Sequence, residues 1–123
     1  MTIILNHTIV PARDKVAAAR WFASIFGLNF NEQEIDHFAP IRVNDTLTLL
    51  FDQDTSFDSH HYAFDVSDAE FDAIFQRIKK AGPSYGSAPW SLDDGELNGW
   101  NGGRGFYYKD HDGHVVELMS MPQ

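Results

Sequence analysis

The sequence predicts an α+β fold made of two tandem βαβββ units. Three observations carry that expectation. Two strand-like runs, Leu5–Val10 and His61–Val66, each hold a histidine and each lead within a few residues into a capped amphipathic pattern. A shift of 54 residues lays His7 on His61, Asp14 on Asp68 and Trp21 on Phe75, while the helix-ending Gly27 and Gly82 miss by one place. Further strand-like runs follow each helix. Only two copies exist, which describes a duplicated module rather than a solenoid.

Taken in order, the first run ends at Pro11, and Asp14 caps a helix carrying Trp21, Phe22, Ile25 and Phe26, closed by Gly27. Strands are expected around Asn29–Glu34, Phe38–Val43 and Thr46–Asp52. In the second unit, Ser67 and Glu70 form a capping-box pattern. Phe71, Ile74, Phe75 and Ile78 then recur at helical spacing up to Gly82-Pro83. Strands are expected around Ser84–Ser87, Gly105–Lys109 and Val115–Ser120, the last two joined through the turn pair Asp112-Gly113. The 123 residues make one domain, with modules at about 1–56 and 57–123. Between Pro89 and Arg104 runs PWSLDDGELNGWNGGR, a long irregular insert that reads either as a lid over a binding site or as an inert connection.

Composition narrows the function. With 43% hydrophobic and 14% aromatic residues the chain suits a soluble globular protein with a substantial core. The formal net charge is -9 and no basic cluster offsets it, which argues against nucleic acid as a partner. Such a field suits a metal ion or a cationic ligand, and equally suits plain solubility. The absence of cysteine removes disulfides, thiolate metal sites and cysteine nucleophiles. No run has the layout of a signal peptide or the length of a membrane span, so a cytoplasmic location away from membranes is the expectation.

The chemistry centres on His114–Ser120, HVVELMS. Strand alternation puts Glu117 on one face with Val115 and Met119, and Val116 and Leu118 on the other. A carboxylate in so apolar a strand must be exposed, protonated, ion-paired or metal-bound, because burying it alone costs several kcal/mol. Two histidines and one carboxylate make a common site for a divalent metal with positions left open to substrate. The duplication supplies His7 and His61 at equivalent strand positions, and the last strand supplies Glu117. Individually, a strand histidine is more often a hydrogen-bonded core residue and a strand glutamate more often faces solvent. The three together favour a metal. His60 has the opposite parity to His61, and His114 is an odd number of residues from Glu117. With His111 in the hairpin turn and His37 without a counterpart, these four are expected at the solvated surface.

LNHTIVPARD, HYAFDVSDAEFDAIFQRIKKAG and GGRGFYYKDHDGHVVELMS together resemble the vicinal oxygen chelate superfamily, which includes glyoxalase I, extradiol dioxygenases, fosfomycin-resistance transferases and bleomycin-resistance proteins. The resemblance spans essentially the whole chain. It implies βαβββ modules forming an open, cup-shaped mixed sheet, commonly in a homodimer, with metal positions on His7, His61 and Glu117. Glyoxalase I has a fourth ligand on the last strand of its first module, but Thr46–Phe51 offers no carboxylate here. The fosfomycin transferases share the three-ligand set, yet their potassium-loop serines have no match in Gly102–Gly105, and the chain ends too soon after Glu117 for their phosphonate-binding arginine. Extradiol dioxygenases carry a tyrosine ten residues before the glutamate, which is Tyr107 here; their acid-base histidine finds no match.

The expected function is therefore that of a metal-dependent, glyoxalase- or dioxygenase-like enzyme. Iron, manganese, zinc or nickel would chelate a small organic substrate through adjacent oxygens. Glu117 and Tyr107 are the catalytic candidates, Tyr107 as a hydrogen-bond donor or simply a packed aromatic. Arg104 is a candidate anchor for an anionic group, or a surface salt bridge; Trp90 and Trp100 would cover an apolar substrate face, or staple the loop. The alternative is a metal-free, bleomycin-resistance-like protein that sequesters a cationic small molecule, using Asp93, Asp94 and Glu96.

Overall fold

The computed structural model describes residues 2–120. The chain divides into two compact units, Met1–Asp58 and Ser59–Gln123.

In the first unit, β1 (His7–Ala12) leads to α1 (Lys15–Phe26), then β2 (Phe38–Arg42) and β3 (Thr48–Gln53). β1 runs parallel to β3 and β2 antiparallel to it, giving the order β1-β3-β2. Parallel neighbours need a crossover, and α1 begins it. The Asp14 carboxylate accepts from the Ala17 amide at the start of α1, and Gly27 closes it at φ 71°. Phe22 and Ile25 lie buried beside Val10, Ile41, Leu49 and Phe51, the alternate residues of the sheet. The Phe22 and Phe51 rings meet at a tilt, 5.9 Å between centroids.

The strand expected at Asn29–Glu34 does not form. Its place is taken by a 3₁₀ turn, Glu32–Glu34, in which the Asn31 side chain accepts from the Gln33 amide. Three consecutive polar residues give no apolar alternation to bury, and Glu32 instead pairs with Arg20 of α1 at 2.5 Å.

The second unit holds β4 (His61–Asp65), α2 (Asp68–Ala81), β5 (Tyr85–Gly86), β6 (Gly105–Lys109) and β7 (Val115–Met119), in the sheet order β4-β7-β6-β5. β4 is parallel to β7, and β6 is antiparallel to both its neighbours. The capping box forms in full, with Ser67 and Glu70 exchanging hydrogen bonds. These bonds hold the Glu70 carboxyl below its ordinary range. Phe71, Ile74 and Ile78 are buried, and Phe71 meets Phe106 edge-on at 5.4 Å. The β6–β7 connection is longer than a two-residue turn. The Asp110 carboxylate accepts from the Asp112 and His114 amides, and Gly113 turns at φ 84°.

Both units combine a helix with a mixed sheet, which is the α+β class. Among the described residues no helix is long and apolar enough to cross a membrane.

Candidate functional site

Register in the second sheet decides what Glu117 touches. It lies opposite Ala63 on β4 and Tyr107 on β6, while His61 lies opposite Val115. His61 is thus the diagonal neighbour of Glu117, within reach of a long side chain. Its Nε2 sits 3.1 Å from Glu117 Oε1. The Tyr107 hydroxyl donates to the same carboxylate. Burial, then that bond and the Glu117 charge, push the Tyr107 phenol well above its ordinary range. The His61 and Tyr107 rings approach to 5.8 Å. The Glu117 side chain is 15% exposed and that of His61 46%, so the carboxylate is sheltered while the imidazole meets solvent. The opposite face of β7, with Val116 and Leu118, is buried. Glu117 therefore has the Tyr107 hydroxyl and the His61 imidazole as polar partners, which offsets its lost hydration.

The first unit repeats the frame without the chemistry. His7 pairs with Thr48 in β3 as His61 pairs with Val115 in β7, a shift of 67 residues on the partner strand. Under that shift Leu50 stands where Glu117 does, and its partner Pro40 stands where Tyr107 does. Only the histidine is shared. The exposed His7 ring has Nδ1 2.8 Å from Asn6 Oδ1. That oxygen can only accept, so Nδ1 carries the proton and the Nε2 lone pair remains available to a metal.

His61 and Glu117 meet within the second unit, and His7 holds the corresponding place in the first. Among the described residues no group of three or more His, Asp or Glu side chains is arranged to hold a metal. The donor chemistry nevertheless fits a divalent transition metal: imidazole nitrogen and carboxylate oxygen converge from adjacent strands.

The insert is a structured loop. Asp94 is its latch. Its carboxylate accepts from the Ser87 amide and hydroxyl, the Ser91 hydroxyl and the Glu96 amide, bonds that hold it below the ordinary carboxylate range. Asn98 bridges to Gly105 through both backbone groups and donates its amide to the Ser87 carbonyl. Held this way, Trp100 packs on the Tyr107 ring at 6.0 Å, and Trp90 lies against Trp100 at 6.2 Å. Trp100 therefore adjoins the His61–Glu117 pair through Tyr107, and Trp90 stands one ring further out.

Arg104 is placed otherwise. Its guanidinium pairs with Asp72 at 2.7 Å and Asp68 at 3.1 Å, and lies over the Phe71 ring. These partners all lie on α2, as in the salt-bridge reading of this residue. The bonds to Asp72 and Asp68 raise the guanidinium pKa further.

His114 corrects a further expectation, since it is fully buried rather than solvated. Its Nδ1 accepts from the His60 amide at 2.9 Å, one residue before His61. His60 is itself half-buried, with Nδ1 2.5 Å from the Tyr62 hydroxyl. His37 and His111 are exposed as expected.

Residues 4–118 match the family model described as the Glyoxalase/Bleomycin resistance protein/Dioxygenase superfamily. The chain belongs to this superfamily. Within it, the chain is 36% identical over 121 residues to a glutathione transferase FosA of Serratia marcescens, covering 93% of this chain and 78% of that one. The solved structure of oxidase ChaP-H2 superposes with a TM-score of 0.91 at 41% identity, covering 99% of this chain and 96% of the other. Oxidase ChaP-H1 gives 0.91 at 39%, covering 98% of each chain. The fosfomycin resistance protein FosX of Mesorhizobium loti, at 21% identity and a TM-score of 0.73 over 99% of this chain and 95% of its own, shares the superfamily fold.

Proposed function

We propose that this chain is a metal-dependent enzyme of the superfamily's oxidative branch, acting on a small organic substrate bound through two neighbouring oxygens. The observation that carries this reading is the His61–Glu117–Tyr107 constellation, built in the second unit and reduced to His7 alone at the corresponding positions of the first. Likeness to the ChaP oxidases across both full lengths supports the oxidative branch over glutathione transfer.

His7, His61 and Glu117 would hold the metal, as the superfamily resemblance implies. When bound, the metal supplies a Lewis acid that polarises the substrate oxygens. The remaining work falls to the chain itself. Asn6 keeps the proton on Nδ1 of His7. Burial and Glu117 both raise the Tyr107 pKa, which favours the protonated phenol. It therefore acts as a donor of one hydrogen bond and not as a base. Trp100 covers Tyr107, which is only 3% exposed, and so limits water at that edge of the site. A homodimer working in the cytoplasm completes the proposal, by the same resemblance.

Metal uptake tests this. Anaerobic dialysis against Fe(II), Mn(II), Zn(II) or Ni(II), followed by elemental analysis, is expected to leave one ion per chain. His61→Ala and Glu117→Gln should each lower retention by at least tenfold. Tyr107→Phe, which removes no donor atom to the metal, should lower retention less than either. Equal, negligible metal in the parent and in His61→Ala would overturn the metal reading. Metal uptake without oxygen consumption on any catechol-like or hydroxycarbonyl substrate would move the protein out of the oxidative branch.

A further inference from the structure

A second feature of the same unit lies apart from the His61–Glu117 pair. Pro83, Ser84, Pro89, Trp90, Leu92, Asp93 and Lys109 line a cavity of about 390 Å³. That is near the small end of ligand pockets, which are mostly apolar with a few directed polar groups. Its walls follow that composition. Two proline rings, a leucine and an indole supply flat apolar surface, while one cation and one carboxylate supply direction. Trp90 is 82% exposed, a costly place to leave so large an apolar group. It is nevertheless held in position by its stack on Trp100 and by the Asp94 latch of the same loop. A fixed, solvent-facing indole beside a cavity is a ready-made stacking wall.

The charged groups specify the ligand further. Lys109 and Asp93 each make no ion pair among the described residues. In a chain of net charge -9, an uncommitted lysine on a cavity wall is a local exception that favours an acidic group. A carboxylate also standing there disfavours a second acid and favours a hydroxyl proton. Lys109 lies two residues along β6 from Tyr107, so the two share a face of the strand.

We infer that this cavity binds a flat aromatic carboxylate bearing a ring hydroxyl. The ring stacks on Trp90, the carboxylate meets Lys109 Nζ, and the hydroxyl donates to Asp93. The inference extends the proposed function by naming a ligand class, but binding here does not require the metal.

Calorimetry on chelator-treated protein tests it, with 6-hydroxy-2-naphthoate, 2-naphthol and 2-naphthylmethylammonium as probes. Both Trp90 and Lys109 are exposed, so their variants should fold, which circular dichroism confirms beforehand. The hydroxynaphthoate is expected to bind at least tenfold more tightly than 2-naphthol. Lys109→Met should erase that difference while leaving 2-naphthol unchanged, and Trp90→Ala should weaken both probes. Absence of binding, binding indifferent to both variants, or a preference for the ammonium probe would each overturn the assignment. Because chelator is present throughout, a failed metal site leaves these results intact, and a failed cavity leaves the metal retention experiment intact.

Discussion

His114 shows how one buried ring can fix the backbone of a neighbouring strand. Its Nδ1 accepts the His60 amide, so the proton of the neutral ring resides on Nε2, and the start of β4 is fixed one residue before His61. Replacing it by leucine preserves bulk but leaves that amide without its acceptor, at a cost of about 1–3 kcal/mol. Urea unfolding of His114→Leu should register this as a lower midpoint at unchanged slope. An unchanged midpoint would mean that the amide has another acceptor. Parity alone correctly turned His114 away from Glu117. It misled on solvent because that other face is itself buried, with Phe106, Tyr108, Val116 and Leu118, so facing away from the site means facing the core. Glu117 was the reverse case. An acid alternating with Val115 and Met119 stands out in the sequence, but its partners depend on the register through the Asp110–His114 connection. That register rests on side-chain-to-amide bonds which no periodicity announces.

At the scale of elements, the helices were legible because caps and apolar spacing agree: Asp14 with Gly27, and Ser67–Glu70 with Gly82, all act as their residue types suggest. The loop was not legible, because its order comes from polar side-chain contacts that follow no period, such as those of Asp94 and Asn98. Gly86 shows how tight that order is. A Cβ there would lie 1.8 Å from the Ser91 carbonyl oxygen, a backbone atom that cannot swing aside. Gly95, by contrast, has open space but a φ of +70°. Gly95→Ala should therefore cost only about 1–2 kcal/mol of left-handed strain. Gly86→Ala should cost at least the roughly 1–3 kcal/mol of an overpacked core, and should also displace the loop carrying Trp90 and Trp100. Near-UV circular dichroism reports the indole environment and denaturant midpoints report the stability. If both variants behave alike, the close approach at Gly86 is not what holds the loop.

For the whole molecule, the duplication divides labour: both units keep the helix-on-sheet frame, and the second alone adds acid, phenol and loop. It also concentrates pH sensitivity there, since three tyrosines of that unit resist ionisation. Burial, reinforced by the charge of Asp110, pushes Tyr62 up to about 12. Burial likewise raises Tyr107 and Tyr108, with Glu117 and Asp110 respectively adding to it. In the unfolded chain these phenols ionise near the ordinary value of about 10. The folded state holds their protons more tightly, so the stability they contribute is complete below that value. It is lost as pH rises from about 10 toward 12, where the unfolded chain sheds protons that the native one keeps. Denaturant midpoints between pH 8 and 11.5 should stay level at first and then fall. Tyr62→Phe removes one titrating phenol and should make the fall shallower without altering the level portion through charge. Parallel curves for parent and variant would show that Tyr62 ionises alike in both states, and that its burial does not govern alkaline unfolding.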